Sequence, residues 1–296
     1  SISGYESDNV IDLRGEPLTE DHIADMSERL MAEPNYGSPS DLWLPTGQMR
    51  DLSKILYPKE RYDIPAPNNG YAGIAIQGLV TPFGKIRLNP DIFMPGSPLP
   101  GSAVGNATLR PSTPTFSTQP TVAANGTSDT DYFTSDDDGV YYYQAVAVNK
   151  YGRSAPVVSN ASGAFDVASP HGEINIGLDE GAVAPTYYEI FRTEAGKASA
   201  TARLIARIPR AGATTPWIDL NRFLPGTTRS YMLTQDPSVM KCLQLLPMTK
   251  IPLATVDASV RWMQLIYLAL QIQKPFQNGM FINVGNLPTG AFAEDD

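Results

Sequence analysis

The chain has 296 residues, of which 42% are hydrophobic and 18% are charged, and its formal net charge is −9. This length is enough for two domains, and the hydrophobic fraction is typical of a globular protein. The acidic balance argues against nucleic-acid binding, which needs clustered Lys and Arg to neutralise phosphates. Cys242 is the only cysteine, which excludes an internal disulfide framework and a cysteine-based zinc site. We predict no signal peptide and no transmembrane segment.

The first part of the chain alternates helical and extended patterns. Thr19 fits the N-cap of a helix because Glu20 and Asp21 follow it in the first turn. Apolar residues then recur at helical spacing until Pro34 stops the pattern. The predicted elements are the helix Glu20–Glu33, the strand Asp41–Leu44, a helix from Thr46 to Leu56, and a hairpin of Gly73–Val80 with Lys85–Leu88 around the turn Thr81–Gly84.

The composition changes at Pro95. Residues Pro95–Thr130 are rich in Pro, Gly, Ser, Thr and Ala, and we predict a linker with an edge strand there. Short strands then follow at regular spacing, separated by Gly and Pro, which is typical of a β-sandwich. The predicted strands are Val140–Asn149, Ala164–Val167, Glu173–Leu178, Tyr187–Thr193, Ala202–Pro209 and Trp217–Leu220.

The stretch Val256–Asn286 is the longest nearly uncharged apolar block. Its β-branched and aromatic residues, and the break at Lys274-Pro275, favour two long strands joined by a turn. A helix over Val256–Leu270 is the alternative, since period alone does not decide between them. The block is too short and too rich in amides for a membrane span. We expect earlier elements to pack on it, and we predict a short helix near Pro237–Leu246 with Cys242 buried and inert.

These patterns predict an α+β protein with a split domain. Residues 1–100 and 230–296 would form one α+β body, and residues 101–229 would form an all-β domain inserted in one of its loops. Insertions of this kind are tolerated where the two chain ends of the inserted domain lie close together.

Two passages carry a family resemblance. Val140–Ser154 resembles the fibronectin type III and immunoglobulin-like signature, with a tyrosine-rich strand followed by a Gly-x-Ser turn. The flanking body resembles the A-domain region of tailed-bacteriophage major capsid proteins of the Hong Kong 97 type. The matching pieces, in order, are the helix Glu20–Glu33 with Ser40–Pro45 and the helix Gly47–Leu56, the hairpin Gly73–Leu88 ending in Asn89–Phe93, and Tyr267–Gln273 followed by Lys274-Pro275 and Phe281–Gly285.

The resemblance implies an A-domain and part of a peripheral domain. Ser1–Leu18 is too short for the family's N-terminal arm, extended loop and spine helix, so we expect this chain to be the downstream part of a longer polypeptide. The resemblance also implies that the chain runs a long strand into the peripheral domain, turns at Lys274-Pro275 and pairs back through Phe281–Val284. Segments upstream of Ser1 would supply further strand partners.

The function implied by the resemblance is that of the head shell of a double-stranded DNA phage. Copies would assemble with themselves into hexamers and pentamers of an icosahedral capsid, with the β insert projecting from the surface. Portal, scaffold or decoration proteins would be further partners, and the shell would enclose DNA without sequence-specific binding. Assembly would take place in the bacterial host cytoplasm, and the protein would reside in the virion. The alternative is a fibronectin-like adhesin or tail-associated protein that binds surface glycans.

No pattern in the chain indicates an enzyme or a cofactor site. The sharpest carboxylate group is a weak candidate for calcium, which prefers several oxygen ligands, although the spacing is not that of an EF-hand. Its members are Asp129, Asp131, Asp136, Asp137 and Asp138. His22 and His171 are expected to be ordinary surface residues. The tyrosines at 141–143 and 187–188 could form a sugar-binding platform, but alternation should bury half of them.

Overall fold

The computed structural model describes residues 9–60, 78–94, 96–124, 133, 137, 139–162, 172–253 and 262–287. Strands dominate this part of the chain. Its α-helices are α1 (Glu20–Met31) and α2 (Thr46–Glu60). Its strands are β1 (Val10–Asp12), β2 (Asp41–Pro45), β3 (Gly78–Thr81), β4 (Gly84–Asp91), β5 (Val104–Gly105), β6 (Thr115–Ala124), β7 (Tyr143–Asn149), β8 (Gly152–Arg153), β9 (Val157–Val158), β10 (Gly172–Asp179), β11 (Tyr187–Arg192), β12 (Arg203–Pro209), β13 (Thr214–Asp219), β14 (Thr228–Leu233), β15 (Met240–Pro252), β16 (Trp262–Ile272) and β17 (Gly279–Val284).

One six-stranded sheet has the strand order β1-β17-β14-β2-β4-β3, so early and late parts of the chain share it. The strand β17 lies between β1, to which it is parallel, and β14, to which it is antiparallel. Both helices contribute to the same core as this sheet, through Met26, Leu30 and Leu52. We call this sheet with α1 and α2 the six-stranded unit.

Helix α1 begins where the sequence predicts. The Thr19 hydroxyl accepts a hydrogen bond from the His22 backbone N–H, and the Thr19 N–H donates to His22 Nδ1 at 3.3 Å. This reciprocal capping box satisfies two N–H groups that the helix itself leaves unpaired. Ile23, Met26 and Leu30 are fully buried, as their spacing requires. The predicted helix is confirmed, and His22 serves to cap it.

The carboxylate of Asp41 joins β2 to its parallel neighbour β4. It accepts hydrogen bonds from Arg87 Nε at 2.7 Å, Asn89 Nδ2 at 2.8 Å and Ser40 Oγ at 2.6 Å. Burial by itself raises the pKa of Asp41, but the hydrogen bonds from Arg87, Ser40 and Asn89 outweigh burial and hold the pKa below its usual value. The ionised carboxylate is therefore the form that the folded sheet prefers.

We expect Asp41→Asn to lower the free energy of unfolding at neutral pH by about 1–2 kcal/mol, since the pair involves an exposed Arg87. The folded pKa of Asp41 lies below the unfolded value of about 3.9. The contribution of Asp41 to the free energy of unfolding is therefore fully present above the unfolded pKa and is lost as pH falls through the folded pKa. Urea unfolding of both chains between neutral and acidic pH checks this. A difference between them that stays constant as the solution is acidified would contradict it.

Strands β5 to β13 form two further sheets that share one core. One sheet has the order β13-β10-β6, and the other has the order β12-β11-β7-β8-β5, with β9 also paired to β7. The shared cluster contains Ile174 and Leu178 from the first sheet and Tyr143, Ala145 and Tyr188 from the second. We call these sheets the two-sheet unit. Its strands confirm the predicted ones over the described residues, and the predicted Ala164–Val167 lies outside them.

The predicted turn Lys150–Ser154 contains a glycine that the backbone requires. Gly152 has φ +148° and faces Gly105, whose φ is +102°. A Cβ on Gly152 would lie 2.1 Å from the Val104 carbonyl oxygen, so only glycine fits where β8 passes β5. The chain passes from the six-stranded unit to the two-sheet unit between residues 91 and 104, and it returns between residues 219 and 228. The exact domain division at 101–229 stays a prediction.

Two predictions near the C-terminal part of the chain are wrong. Residues 240–252 form the strand β15 and not a helix near Pro237–Leu246. The strand β16 pairs with β15 and not with Phe281–Val284, which belong to β17 in the six-stranded sheet. Local helix propensity is a weak signal that a strand partner elsewhere in the chain can override. The strand interpretation is confirmed for β16, and residues 256–261 lie outside the described part.

Candidate assembly surface

The antiparallel pair of β15 and β16, here called the ribbon, is a separate two-stranded sheet. Its register runs from Met240 opposite Ile272 to Pro252 opposite Trp262. The register shifts between Gln244 and Thr249, around Pro247, which has no N–H to donate to the ladder. Two strands alone are only marginally stable in water. The ribbon therefore needs support beyond its own ladder.

The base of the ribbon is held firmly by the six-stranded unit. The Gln273 N–H donates to the Val239 carbonyl at 2.8 Å, so the ladder continues one pair beyond the strands. Thr234, which follows β14, donates its N–H to Asn278 Oδ1 at 3.0 Å and its hydroxyl to the Gln277 carbonyl at 2.8 Å. The ribbon thus leaves the sheet from between β14 and β17, and hydrogen bonds join the two segments at its base.

Both faces of the ribbon expose large apolar side chains. Successive residues of a strand point to opposite faces, and on β16 Leu270 is 65% exposed on one face while Tyr267 is 53% exposed on the other. On β15, Leu245 is 87% exposed. Further exposed apolar residues of the ribbon are Leu243, Leu246, Met248, Ile251, Trp262, Met263, Ile266, Leu268 and Ile272.

The charges of the ribbon are of one sign. Lys241 and Lys250 are the charged residues of the two strands, in a chain whose net charge is −9. The Lys250 ammonium lies 4.8 Å from the centre of the Trp262 ring, so this cation also covers part of an apolar surface. A strand pair with two apolar faces and open edges is a template for association. Among the surfaces formed by the described residues, the ribbon is therefore the candidate for assembly.

The structure corrects the expectation that earlier elements cover the whole apolar block. They cover its second strand, β17, whose Phe281 and Val284 are buried in the core of the six-stranded unit, but not its first strand, β16. Nearly every residue of β16 is exposed, because the ribbon is a separate sheet that the described parts of the two larger units do not cover. Cys242 is likewise exposed on β15 and not buried in a helix. Sequence reasoning missed β15 entirely. The usable signal was its content of Leu, Met and Ile without any carboxylate.

The other candidate sites are not assembled by the described residues. Of the acidic group, Asp137 is described, and its carboxylate lies 3.5 Å from the Arg14 guanidinium; Asp129, Asp131, Asp136 and Asp138 lie outside the described part, as does His171. Among the residues that the structure describes, no group of His, Cys, Asp and Glu has the geometry of a metal site.

A tyrosine platform for sugars is also not formed. Tyr141, Tyr143 and Tyr188 are buried in the core of the two-sheet unit. The Tyr143 hydroxyl donates to Asp219 Oδ2 at 2.7 Å, so its polar end is used internally. Three of the five tyrosines of the predicted platform are thus core residues and are not available to a glycan.

Comparison with known proteins shows sequence similarity to phage major capsid proteins. Over 288 residues the sequence is 28% identical to a protein assigned as a major capsid protein of Enterococcus phage phiEF24C, with 95% of this chain and 60% of that protein covered. It is 26% identical over 279 residues to the major capsid proteins of Staphylococcus phage K and Staphylococcus phage S25-3, covering 91% of this chain and 58% of each. No protein-family model matches the sequence.

The chain is thus similar to phage major capsid proteins over more than nine tenths of its own length. This confirms the predicted likeness to capsid proteins at the level of sequence. The chain spans 58–60% of the length of these curated relatives. Within the part that the structure describes, neither helix combines the length and the apolar character that crossing a membrane requires.

Proposed function

We propose that this chain belongs to the major capsid protein of a tailed double-stranded DNA phage. The observation that carries the proposal is the similarity to named major capsid proteins along nearly the whole chain. The ribbon supports it independently, because a free-standing pair of strands with apolar faces suits a protein that completes its packing by assembly. The role is structural, without catalysis or a cofactor.

The proposed architecture is of the Hong Kong 97 type. The six-stranded unit would be the A-domain, the ribbon would be part of the peripheral domain, and the two-sheet unit would be an inserted immunoglobulin-like or fibronectin-like domain. A specific contact supports the last assignment. The Tyr141 hydroxyl donates to the Asp137 carbonyl at 2.6 Å, just before β7. A tyrosine that bonds to the backbone a few residues upstream is the tyrosine corner of immunoglobulin-like sandwiches.

In this proposal the mechanism is geometric. Copies associate head to tail into closed hexamers and pentamers, which requires two different complementary surfaces on each copy. Apolar side chains on both faces of the ribbon become buried, each contributing about 1.5–3 kcal/mol when burial is complete. The shell encloses DNA without reading its sequence and meets portal, scaffold or decoration proteins at its own surfaces. It is assembled in the host cytoplasm and remains in the virion.

The single thiol of the chain tests the proposal directly. Cys242 is exposed on the ribbon, so we expect it to react quickly with a maleimide in dissociated, folded subunits. In assembled particles we expect the reaction to be slower by about tenfold or more, because burial of the ribbon excludes the reagent. Mass spectrometry after timed labelling measures both rates.

A matched control is the pair of changes Cys242→Ser and Ala161→Cys, which moves the thiol to an exposed position of the two-sheet unit. Under the proposal this thiol reacts at similar rates in subunits and in particles, since that unit projects from the shell. Equal reactivity of Cys242 in intact particles and in free subunits would exclude the ribbon as an assembly surface. Failure of the chain to enter any particle would remove the capsid proposal itself.

A further inference from the structure

Three residues with left-handed backbone conformation lie where the six-stranded unit meets the two-sheet unit. Arg14, Asn221 and Asn283 have φ of +50°, +54° and +53°. Residues other than glycine adopt this conformation at a cost, and such positions persist where surrounding contacts fix them. Arg14 follows β1, Asn221 follows β13, and Asn283 lies within β17. Arg14 Nη1 also lies 3.5 Å from the Asn221 carbonyl oxygen, so these positions belong to one joint.

The side chain of Asn283 connects three parts of the chain at this joint. Its Nδ2 donates to Asp12 Oδ1 at 2.8 Å and to the Arg222 carbonyl at 2.9 Å. Its Oδ1 accepts the Leu224 N–H at 2.8 Å. Asn283 is 1% exposed, so its amide donors and acceptor depend on these partners. The segment that returns from the two-sheet unit is thereby fixed to β17.

Buried hydrogen bonds continue from this segment into the core of the two-sheet unit. Arg192 Nη2 donates to Asn221 Oδ1, and Arg192 Nη1 donates to Asp219 Oδ2 at 2.7 Å. The same Asp219 oxygen accepts the Tyr143 hydroxyl. Asp219, Asn221 and Arg192 are all buried. The segment from Asp219 to Leu224 is therefore hydrogen-bonded to β17 on one side and to the centre of the two-sheet unit on the other.

The segment that leaves the six-stranded unit is fixed as well. Ser97 Oγ donates to the Thr227 carbonyl at 3.1 Å, which joins the outgoing and returning segments. The Leu204 N–H donates to the Pro98 carbonyl at 3.1 Å, which places the outgoing segment along β12. The Arg229 guanidinium lies 4.2 Å from the centre of the Phe223 ring. Both connections are thus held by specific contacts rather than spanning open solvent.

We propose that the two units form a rigid joint in which Asn283 is the positioning residue. Relative motion is the default for two units of one chain unless their interface is large and hydrophobic. Here a change of angle would leave the buried amide of Asn283 without partners, and unsatisfied buried polar groups are unfavourable. The two-sheet unit consequently keeps one orientation on the six-stranded unit. This inference does not depend on the capsid proposal; in a shell, its consequence would be that every copy presents this unit at the same angle.

Spin labels on the two units test the joint. In a Cys242→Ser background, Lys54→Cys places a label on α2 and Ala161→Cys places one on the two-sheet unit, both at exposed positions. Double electron–electron resonance should give a single narrow distance distribution for this chain. Adding Asn283→Ala should broaden the distribution to about twice its width, because the joint loses contacts on both sides.

A second variant keeps the test informative if Asn283→Ala fails to fold. Asn283→Gly keeps the left-handed backbone without strain but removes the same hydrogen bonds, and it should broaden the distribution as well. Asn35→Ala is the matched control, because Asn35 is a buried asparagine with side-chain bonds confined to the six-stranded unit. It should leave the width unchanged. A broad distribution in the labelled chain that retains Asn283 would overturn the inference. Unchanged widths in both Asn283 variants, with circular dichroism showing that they are folded, would overturn it as well.

Discussion

Replacing Leu270 with lysine is expected to abolish particle formation while leaving the subunit folded. The side chain is 65% exposed in the free chain, so the change should alter the free energy of unfolding by less than about 0.5 kcal/mol. In an assembled shell the same position would lose about 1.5–3 kcal/mol of apolar burial and would bury an unpaired charge in every copy. Sedimentation and negative-stain microscopy measure assembly, and circular dichroism reports on the fold.

The opposite face of the ribbon has its own variant, Tyr267→Lys, and comparison of the two shows whether one face or both are covered. Val158→Lys is the matched control, since Val158 is 48% exposed on the two-sheet unit and should tolerate the charge. Wild-type assembly of both ribbon variants would show that the ribbon is not an interface. Loss of assembly by the Val158 variant as well would show that the effect is not specific to the ribbon.

Replacing Arg192 with methionine is expected to lower the free energy of unfolding by about 3–5 kcal/mol. The Arg192 and Asp219 side chains are 1% and 4% exposed and lie 2.7 Å apart, so loss of the cation leaves a buried carboxylate without its charge partner. Burial by itself lowers the pKa of Arg192, but the charge of Asp219, its hydrogen bond and the nearby Tyr143 and Tyr141 together outweigh burial and keep the pKa above its usual value. The guanidinium therefore stays charged at any pH at which the protein is folded. Denaturant unfolding followed by tryptophan fluorescence measures the loss.

Replacing both members of the pair should destabilise the protein less than replacing Arg192 alone. With Arg192→Met and Asp219→Leu combined, no unpaired charge remains, and the loss should be smaller than for Arg192→Met by itself. The remaining loss would include the Tyr143 hydroxyl, whose acceptor is gone. A double variant that is as unstable as the sum of the two single variants would show that the two side chains act independently.

Elements with local signals were predictable from the sequence. Thr19 and the spacing of Ile23, Met26 and Leu30 specify α1, because capping and amphipathic period act within a few residues. The alternation in Val140–Asn149 likewise predicted β7, and its Tyr-Gly turn predicted the reversal into β8. Such signals do not depend on which element lies next to them.

Features that depend on distant partners were not predictable. β15 was missed because Leu, Met, Gln and Lys favour a helix locally, whereas its strand state depends on β16. The exposure of the ribbon was missed because hydrophobicity predicts burial without saying which molecule covers the residue. The only sequence signal at Asn283 is that asparagine tolerates left-handed backbone. The neighbouring residues do not indicate that its partners are Asp12 and Arg222.

The position of β17 has a consequence for the order of folding during synthesis. It lies inside the six-stranded sheet, where Val10 pairs with Met280, yet it follows every other described strand in the chain. Domains fold as units while the ribosome is still extending the chain, and closure of long loops is slow. All strands of the two-sheet unit leave the ribosome before β17 does. We therefore expect the two-sheet unit to fold first during synthesis, and the position between β1 and β14 to stay open until β17 has left the ribosome.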